Sequence, residues 1–456
     1  MSAYSTQPAP GMDATSVLTG YIVLLLAIPS VMRVGALGTA GAPSTILAIG
    51  ALFWWLWFQL HRNWKLHDGF QPVNAAVLGW IMIMLVVYAH AMSSPIPYDE
   101  ISPADSGMLK LVGMAGILLV ASDGIVSLDR HRTVVRRLVI GVGLVALLGL
   151  LQYSTKQLFV DRIQIPGLTS AGSDLELAER SGLARPSGTS THPIEYGMVL
   201  TMVLPLSIVY AMKAPTNRWI YRLLLAAVTF AIFLSISRSA LVCAAVGFVV
   251  LAASWPAAAR VKALAFAVVA MAIVFVVSPG VLGTIGNLFA GASDDPSIAS
   301  RTGSFDIAGE FVSASPWLGR GFGTFLPKYW ILDNGYLGLL IEGGVLGLVG
   351  LLVLIASAIW AARQARRVAR DELDRAIAQA LVASIAAGAC GLAFFDTFAF
   401  PQSAGTFFLL LGLAGAALRL NLADRTASGR LLPNSDKIFL PGLNSRSNRR
   451  RQPSNP

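Results

Sequence analysis

Charged residues are scarce in this chain of 456 residues. Asp, Glu, Lys and Arg make up 13% of it, against about a quarter of an ordinary soluble domain. The chain has only two cysteines, Cys243 and Cys390, and both lie inside apolar runs. This pattern argues against a disulfide framework and a CxxC metal motif. We therefore predict neither a metal site nor a cofactor.

The N-terminus lacks the basic segment and the cleavage signal of a secretory leader, so we expect the first apolar run to be a retained helix. Long apolar runs dominate the rest of the chain, and a helix needs about 20 such residues to cross a bilayer. The sequence predicts an all-α, polytopic membrane protein with about 12 transmembrane helices, near residues 15–32, 43–60, 73–92, 108–126, 138–154, 194–212, 219–237, 239–255, 263–279, 335–360, 376–394 and 404–420.

The net charge of +10 reflects membrane orientation. Most Lys and Arg residues fall on one side if the N-terminus is cytoplasmic, as the positive-inside rule requires. We expect both termini in the cytoplasm, with residues 1–14 as a short N-terminal segment, 15–420 as the transmembrane bundle and 421–456 as a basic, disordered tail. Membrane lipid is the expected contact of these charges, and no nucleic acid partner is predicted.

Two large loops, residues 155–193 and 280–334, are predicted on the extracytoplasmic side, and their aromatic and apolar content suggests that they fold. In the second, Arg301, Phe305, Ala308 and Phe311 recur at helical spacing. This spacing fits an amphipathic helix at the membrane surface or a helix that only caps the bundle. The run at 335–360 is long enough either to tilt in the membrane or to bend at its glycine pair.

Polar residues gather at the extracytoplasmic ends of these runs. Arg180 and Arg185 precede His192 and Glu195, which open the sixth helix. Because positive-inside statistics disfavour arginines there, they indicate either phosphate binding or ordinary salt bridges within the loop. Arg238 lies between two apolar runs with no room for a loop, so it either faces an interior cavity or extends to the headgroups.

Two further groups lie later in the chain. Arg320 sits among glycines, in a segment that lacks the strand–loop–helix context of a nucleotide-binding loop. Asp333 precedes Asn334 and Tyr336 at the start of the tenth helix, where an Asp serves either as the N-cap or as a functional group. Glu342 lies deeper in that helix and needs a partner, for which Arg238 is one candidate.

Together these segments resemble the O-antigen polymerase and ligase superfamily over residues 137–420. The shared features are Arg185-Pro-x-Gly-Thr-x-x-His-Pro before a helix, Ser-Arg238-Ser-Ala at a helix start, a long loop with an arginine and Gly-x-Gly-x-Phe, and Asn334-x-Tyr-Leu followed by Glu342-x-Gly. The resemblance implies a bacterial inner-membrane glycosyltransferase with a GT-C-like architecture. It also implies that Arg238 and Arg301 hold the diphosphate of an undecaprenyl-linked sugar.

In that family a polar residue at position 333 helps to activate the acceptor. Ligases carry a histidine before the asparagine, whereas Asp333 here is more similar to the polymerase branch. The resemblance implies a polysaccharide polymerase, with an O-antigen ligase acting on lipid A core and a flippase or exporter of lipid-linked oligosaccharide as alternatives. The general base is open among Asp333, His192 and Glu195. The expected substrate-binding residues are Arg185, His192, Glu195, Arg320, Asn334 and Tyr336, and the implied partners are a lipid-linked donor, a glycan acceptor, a chain-length regulator and a flippase.

Overall fold

The computed structural model describes residues 13–61, 70–170, 177–180, 182–277 and 296–427. Within them the chain is mostly helical. The α-helices, numbered α1 to α13 in chain order, are Ala14–Ala27, Pro43–His61, Pro72–Ser93, Tyr98–Gly124, Leu128–Thr155, Pro193–Lys213, Arg218–Leu234, Arg238–Ala252, Ala257–Val277, Pro296–Ala314, Gly335–Val368, Glu372–Leu392 and Pro401–Ala427. Twelve of these helices coincide with the predicted apolar runs, and α10 lies within the second predicted loop.

Eight of these helices are long and apolar enough to cross a membrane, namely α2 to α6 and α11 to α13. Helices α1 and α8 are apolar but shorter. The chain therefore has the helices of a multi-pass membrane protein, while twelve crossings remain a prediction. Helix α13 continues to Ala427, seven residues into the segment predicted as a disordered tail.

Helices α4, α6, α12 and α13 form the centre of the bundle, and most residues of their apolar stretches are buried. Small residues allow close approach there: a Cβ on Gly412 would lie 2.5 Å from the Leu118 carbonyl oxygen, as in helix packing within membranes. Helices α2 and α3 are peripheral. They expose large apolar side chains such as Phe53, Trp57 and Met82, which suits a lipid-facing surface.

The connections divide between two ends of the bundle. We call the end with residues 28–42, 156–170, 177–180, 182–192, 315–334 and 393–400 the loop-rich end. Two short antiparallel two-stranded sheets form there, with Met32–Arg33 (β1) paired to Thr169–Ser170 (β2) and Ala178–Arg180 (β3) paired to Leu183–Arg185 (β4). The described part of the first predicted loop is therefore folded. At the opposite end, Arg132 binds Asp374 through contacts of 2.7 and 2.6 Å.

In helix α10 the residues that recur at helical spacing have different environments. Ala308 is buried, but Phe305 is 59% exposed, so these two residues do not share a buried face. The inward face instead carries Ser304, which accepts a hydrogen bond from Trp330, and Phe311, which packs on Phe325. The predicted bend in α11 is confirmed, because Gly344 has a left-handed φ of 65° within the helix.

Candidate functional site

The first wall of the candidate site consists of Arg185, at the end of β4, and the turn between α7 and α8. The Arg185 side chain is buried, and its Nε donates a hydrogen bond of 2.9 Å to the backbone oxygen of Ser235. Ser235 belongs to the turn between α7 and α8. The contact therefore joins the loop arginine to the turn that carries Arg238, although the two arginines are more than 50 positions apart in the sequence.

The turn before Arg238 has a strained backbone. Ile236 adopts a φ of +46° and is completely buried, a conformation that a β-branched residue rarely takes. Such a residue costs about 1–3 kcal/mol and is maintained only when its surroundings fix it. Ser237 caps α8 by accepting a hydrogen bond from Ala240. Arg238 thus lies in the first helical turn, where the helix dipole also favours an anion.

His192 caps α6 with its imidazole ring. Nδ1 accepts a hydrogen bond of 3.2 Å from the Ile194 amide. Burial, together with the positive charge of Arg185, lowers the pKa of His192 to about 4. The ring is therefore neutral at pH 7, and because Nδ1 accepts, the proton resides on Nε2. His192 consequently presents a neutral N–H donor near the arginines.

Glu195 has no exposed surface. One carboxylate oxygen accepts a hydrogen bond from the backbone amide of Thr191 at 2.8 Å, and the other accepts one from the backbone amide of Gln402 at 2.7 Å. The side chain thus ties the start of α6 to the start of α13. In this structure both carboxylate oxygens of Glu195 are engaged by backbone amides, which distinguishes it from the other candidate bases.

Gln152, which was not predicted, shapes the same loop. Its Oε1 accepts hydrogen bonds from the Ser187 and Gly188 amides, and its Nε2 donates to the carbonyl groups of Leu158 and Gly188. A single buried glutamine thereby satisfies four backbone groups at the end of α5. No sequence motif marks it, because its partners are irregular loop residues.

The second wall is the segment 316–323, which docks onto the bend in α11. The Val345 amide donates to the backbone oxygen of Pro316 at 2.8 Å. The Gly321 amide donates to the backbone oxygen of Glu342 at 2.9 Å. A Cβ on Gly344 would lie 2.3 Å from the Trp317 carbonyl group. The glycine run therefore serves close backbone packing.

Arg320, a predicted substrate-binding residue, is held by a buried carboxylate. Its guanidinium contacts Glu100 at 2.5 Å and lies 5.0 Å from the ring centre of Phe311 and 4.8 Å from that of Tyr329. Tyr329 also hydrogen-bonds Glu100. Since Glu100 is fully buried on α4, this cluster fastens the second wall to the bundle. Its partners on α4 were not predicted.

At the start of α11 the N-cap is Asn334, so the capping alternative considered for Asp333 was wrong. Asn334 Oδ1 accepts from the amides of Tyr336 and Leu337, each at 3.1 Å. Asp333 precedes the cap and is partly exposed, so helix capping does not account for it. The Tyr336 hydroxyl donates to the Ala389 oxygen at 2.7 Å, which anchors α11 on α12.

Glu342 lies about two turns after this cap. Its Oε1 accepts a hydrogen bond from the Phe325 amide at 3.1 Å, and it interacts electrostatically with Lys110 of α4. The partner suggested from sequence was Arg238, whereas these two contacts come from Phe325, just after the second wall, and from α4. Asp396 also interacts electrostatically with Lys110. Neither Lys110 nor Asp396 was predicted from the sequence as a site residue.

The connection between α12 and α13, residues 393–400, lies between the two walls. Phe400 packs on His192 with ring centres 6.5 Å apart, and Phe398 packs on Phe322 at 5.7 Å. The predicted residues 185–195, 238 and 320–342 thus meet at the loop-rich end. Arg301 lies on α10 and Arg180 on β3, but their side chains fall outside the described part of the structure.

Known proteins and protein families provide an independent comparison. No curated protein gives a significant match to the chain. The O-antigen ligase family model (Wzy_C) matches residues 223–352, a segment that begins in α7 and includes Arg238, Arg320, Asp333 and Glu342. The match supports the resemblance to the O-antigen ligase-like superfamily that the motifs indicated.

Proposed function

We propose that this protein is a polysaccharide polymerase. It transfers a glycan from an undecaprenyl-diphosphate-linked oligosaccharide to a growing chain, on the extracytoplasmic side of a bacterial inner membrane. The observation that carries the proposal is the placement of Arg238, at a helix start behind a strained turn that Arg185 also contacts. The matched family, whose members transfer glycans, supports the same reaction class.

In this mechanism Arg238, Arg185 and Arg301 bind the diphosphate of the donor. An acceptor hydroxyl attacks the anomeric carbon, and the bond between that carbon and the diphosphate oxygen breaks. Its electron pair leaves with the diphosphate, where the arginines stabilise the developing charge. The neutral His192 Nε2–H adds a hydrogen-bond donor, and Asn334 and Tyr336 hold the start of α11 in position.

Asp333 takes the proton of the acceptor hydroxyl. It is favoured over Glu195, whose two oxygens are engaged by backbone amides, and over His192, whose Nδ1 caps a helix. Asp333 is partly exposed beside the helix cap. A general base contributes about 10²–10⁴-fold to such a reaction. The Asp333-Asn334 pair also favours the polymerase over the ligase, whose sequence carries histidine at this position.

The first test replaces Arg238 with alanine. We expect Arg238→Ala to reduce chain growth by about 10²–10³-fold, as loss of a charge-stabilising group does in other enzymes. Growth is measured on glycan gels from cells and with purified protein supplied with lipid-linked oligosaccharide extracted from the host strain. The matched control is Arg222→Ala, an exposed arginine in the first turns of α7 at the opposite end.

Two outcomes would reject the proposal. Full polymer from a stably inserted Arg238→Ala protein would show that this arginine does not hold the donor. Failure of the purified wild-type protein to lengthen any glycan, with active transfer of lipid-linked sugar across vesicles, would instead identify a flippase.

A further inference from the structure

Three charged side chains near the candidate site have no part in the proposed reaction. They are Lys110 on α4, Glu342 on α11 and Asp396 between α12 and α13, and each is partly buried. Ionisable groups at or within apolar helices are costly and usually mark a functional site with a defined partner. Glu342 is engaged by the backbone amide of Phe325, so Lys110 and Asp396 require a separate explanation.

Packing brings Asp396 close to the start of α11. A Cβ on Gly335 would lie 3.3 Å from the Phe395 oxygen, so the residues that follow Asp333 contact the residue that precedes Asp396. The two carboxylates also interact electrostatically. Asp396 is fixed by its own turn, because its Oδ1 accepts a hydrogen bond of 3.1 Å from the Phe398 amide.

Lys110 approaches Asp396 from the other side. It lines a small internal cavity together with Phe398 and Pro401, which places it beside the turn that carries Asp396. The ammonium group interacts with Asp396 most strongly and then with Glu342, while Arg33 of β1 opposes it. Asp396 is therefore flanked by a cation from α4 and a carboxylate from the α11 start.

We propose that Asp396 is a second carboxyl of the acceptor site, where it acts with Asp333 and is balanced by Lys110. The inference rests on the proposed function and extends it to acceptor recognition. Asp396 accepts a hydrogen bond from a hydroxyl next to the attacking one, while Asp333 takes the proton of the attacking hydroxyl. Two carboxylates are then matched to two adjacent hydroxyl groups of the acceptor sugar.

The ionisation of Asp396 follows from its neighbours. Burial raises its pKa, Lys110 lowers it, and Asp333 raises it further. Since only the carboxylate accepts a hydroxyl hydrogen bond at both oxygens, acceptor binding weakens as pH falls through this pKa. Removing Lys110 withdraws the cation that favours the charged form, so the acid limb of the rate profile should move to higher pH.

The kinetic test uses Asp396→Asn and Lys110→Met in the purified protein, with extracted lipid-linked oligosaccharide as donor. We expect Asp396→Asn to raise the KM for the acceptor about 10- to 100-fold, the effect of losing a hydrogen bond to a charged group. Lys110→Met should shift the acid limb upward, and Lys110→Arg should restore it. Asp105→Asn, an exposed carboxyl on the same helix as Lys110, is the control.

A second readout does not depend on activity. Infrared difference spectra during a pH titration report the carbonyl band of a protonated carboxyl, and the band missing in Asp396→Asn identifies Asp396. In Lys110→Met this band should persist to higher pH. An unchanged band in Lys110→Met, or an unchanged acceptor KM in an active Asp396→Asn protein, would overturn the inference. A wild-type protein that lengthens no glycan would instead reject the proposed function.

Discussion

Because the folded protein keeps the His192 imidazole neutral, its free energy of unfolding should depend on pH. The folded pKa is about 4, whereas an unfolded histidine titrates near pH 6.5. Between these values the unfolded chain binds a proton that the folded protein does not. Stability contributed by the neutral ring is therefore complete above about pH 6.5 and declines as pH falls towards 4.

Replacing His192 with asparagine tests this contribution, because asparagine is a good N-cap but does not titrate. Thermal unfolding in detergent should show a smaller decline between neutral and acidic pH for His192→Asn than for the wild type. His90 is exposed on α3, so His90→Asn is the control and should retain the wild-type decline. Equal slopes for the wild type and His192→Asn would contradict a neutral, buried ring.

At the scale of elements, the second wall packs against the bend in α11. Gly344 has a φ of 65°, and an added Cβ would lie 2.3 Å from backbone atoms of Trp317. Gly344→Ala should therefore displace segment 316–323 and reduce polymerisation at least about tenfold, since misplacement of about 1 Å costs up to 10²-fold. Gly338→Ala is the matched control, because the nearest atom to its Cβ would be 4.0 Å away.

Limited proteolysis provides the structural measurement for this pair of variants. Gly344→Ala should expose residues 315–334 to cleavage while the helical content of the bundle is retained. Equal activity and equal protection in the two variants would show that the bend does not position the wall.

The elements themselves were largely predictable, because apolar runs of spanning length specify helices one at a time. The bend at Gly344 followed from a local glycine pair, and the motif around Arg238 from local spacing. Asn334 was missed as the cap because Asp333 and Asn334 have similar capping preferences. Glu100 and Lys110 were missed for a different reason: their partners at 320 and 396 are more than 200 positions away, and only packing brings them together.

Seen as a whole, the molecule carries cations and ion pairs at both ends of the bundle. At the opposite end, Arg132 binds Asp374 and Asp371, and Lys213 binds Glu372 at 3.1 Å, so many of the cations there are paired across helices. The loop-rich end carries the arginines of the candidate site. If the opposite end is cytoplasmic, the charge distribution obeys the positive-inside rule, and the site faces the compartment in which a flipped lipid-linked donor is available.

Cysteine labelling tests this orientation. The two native cysteines are replaced first, and single cysteines are introduced at Lys156, exposed at the loop-rich end, and at Arg130, exposed at the opposite end. A membrane-impermeant maleimide should label Lys156→Cys in intact spheroplasts, and Arg130→Cys only after permeabilisation. The reverse pattern would place the arginines in the cytoplasm, where nucleotide sugars and not flipped lipid-linked glycans are the available donors. Because each variant is the other's control for expression and reactivity, the pair distinguishes a reversed orientation from a failure to label.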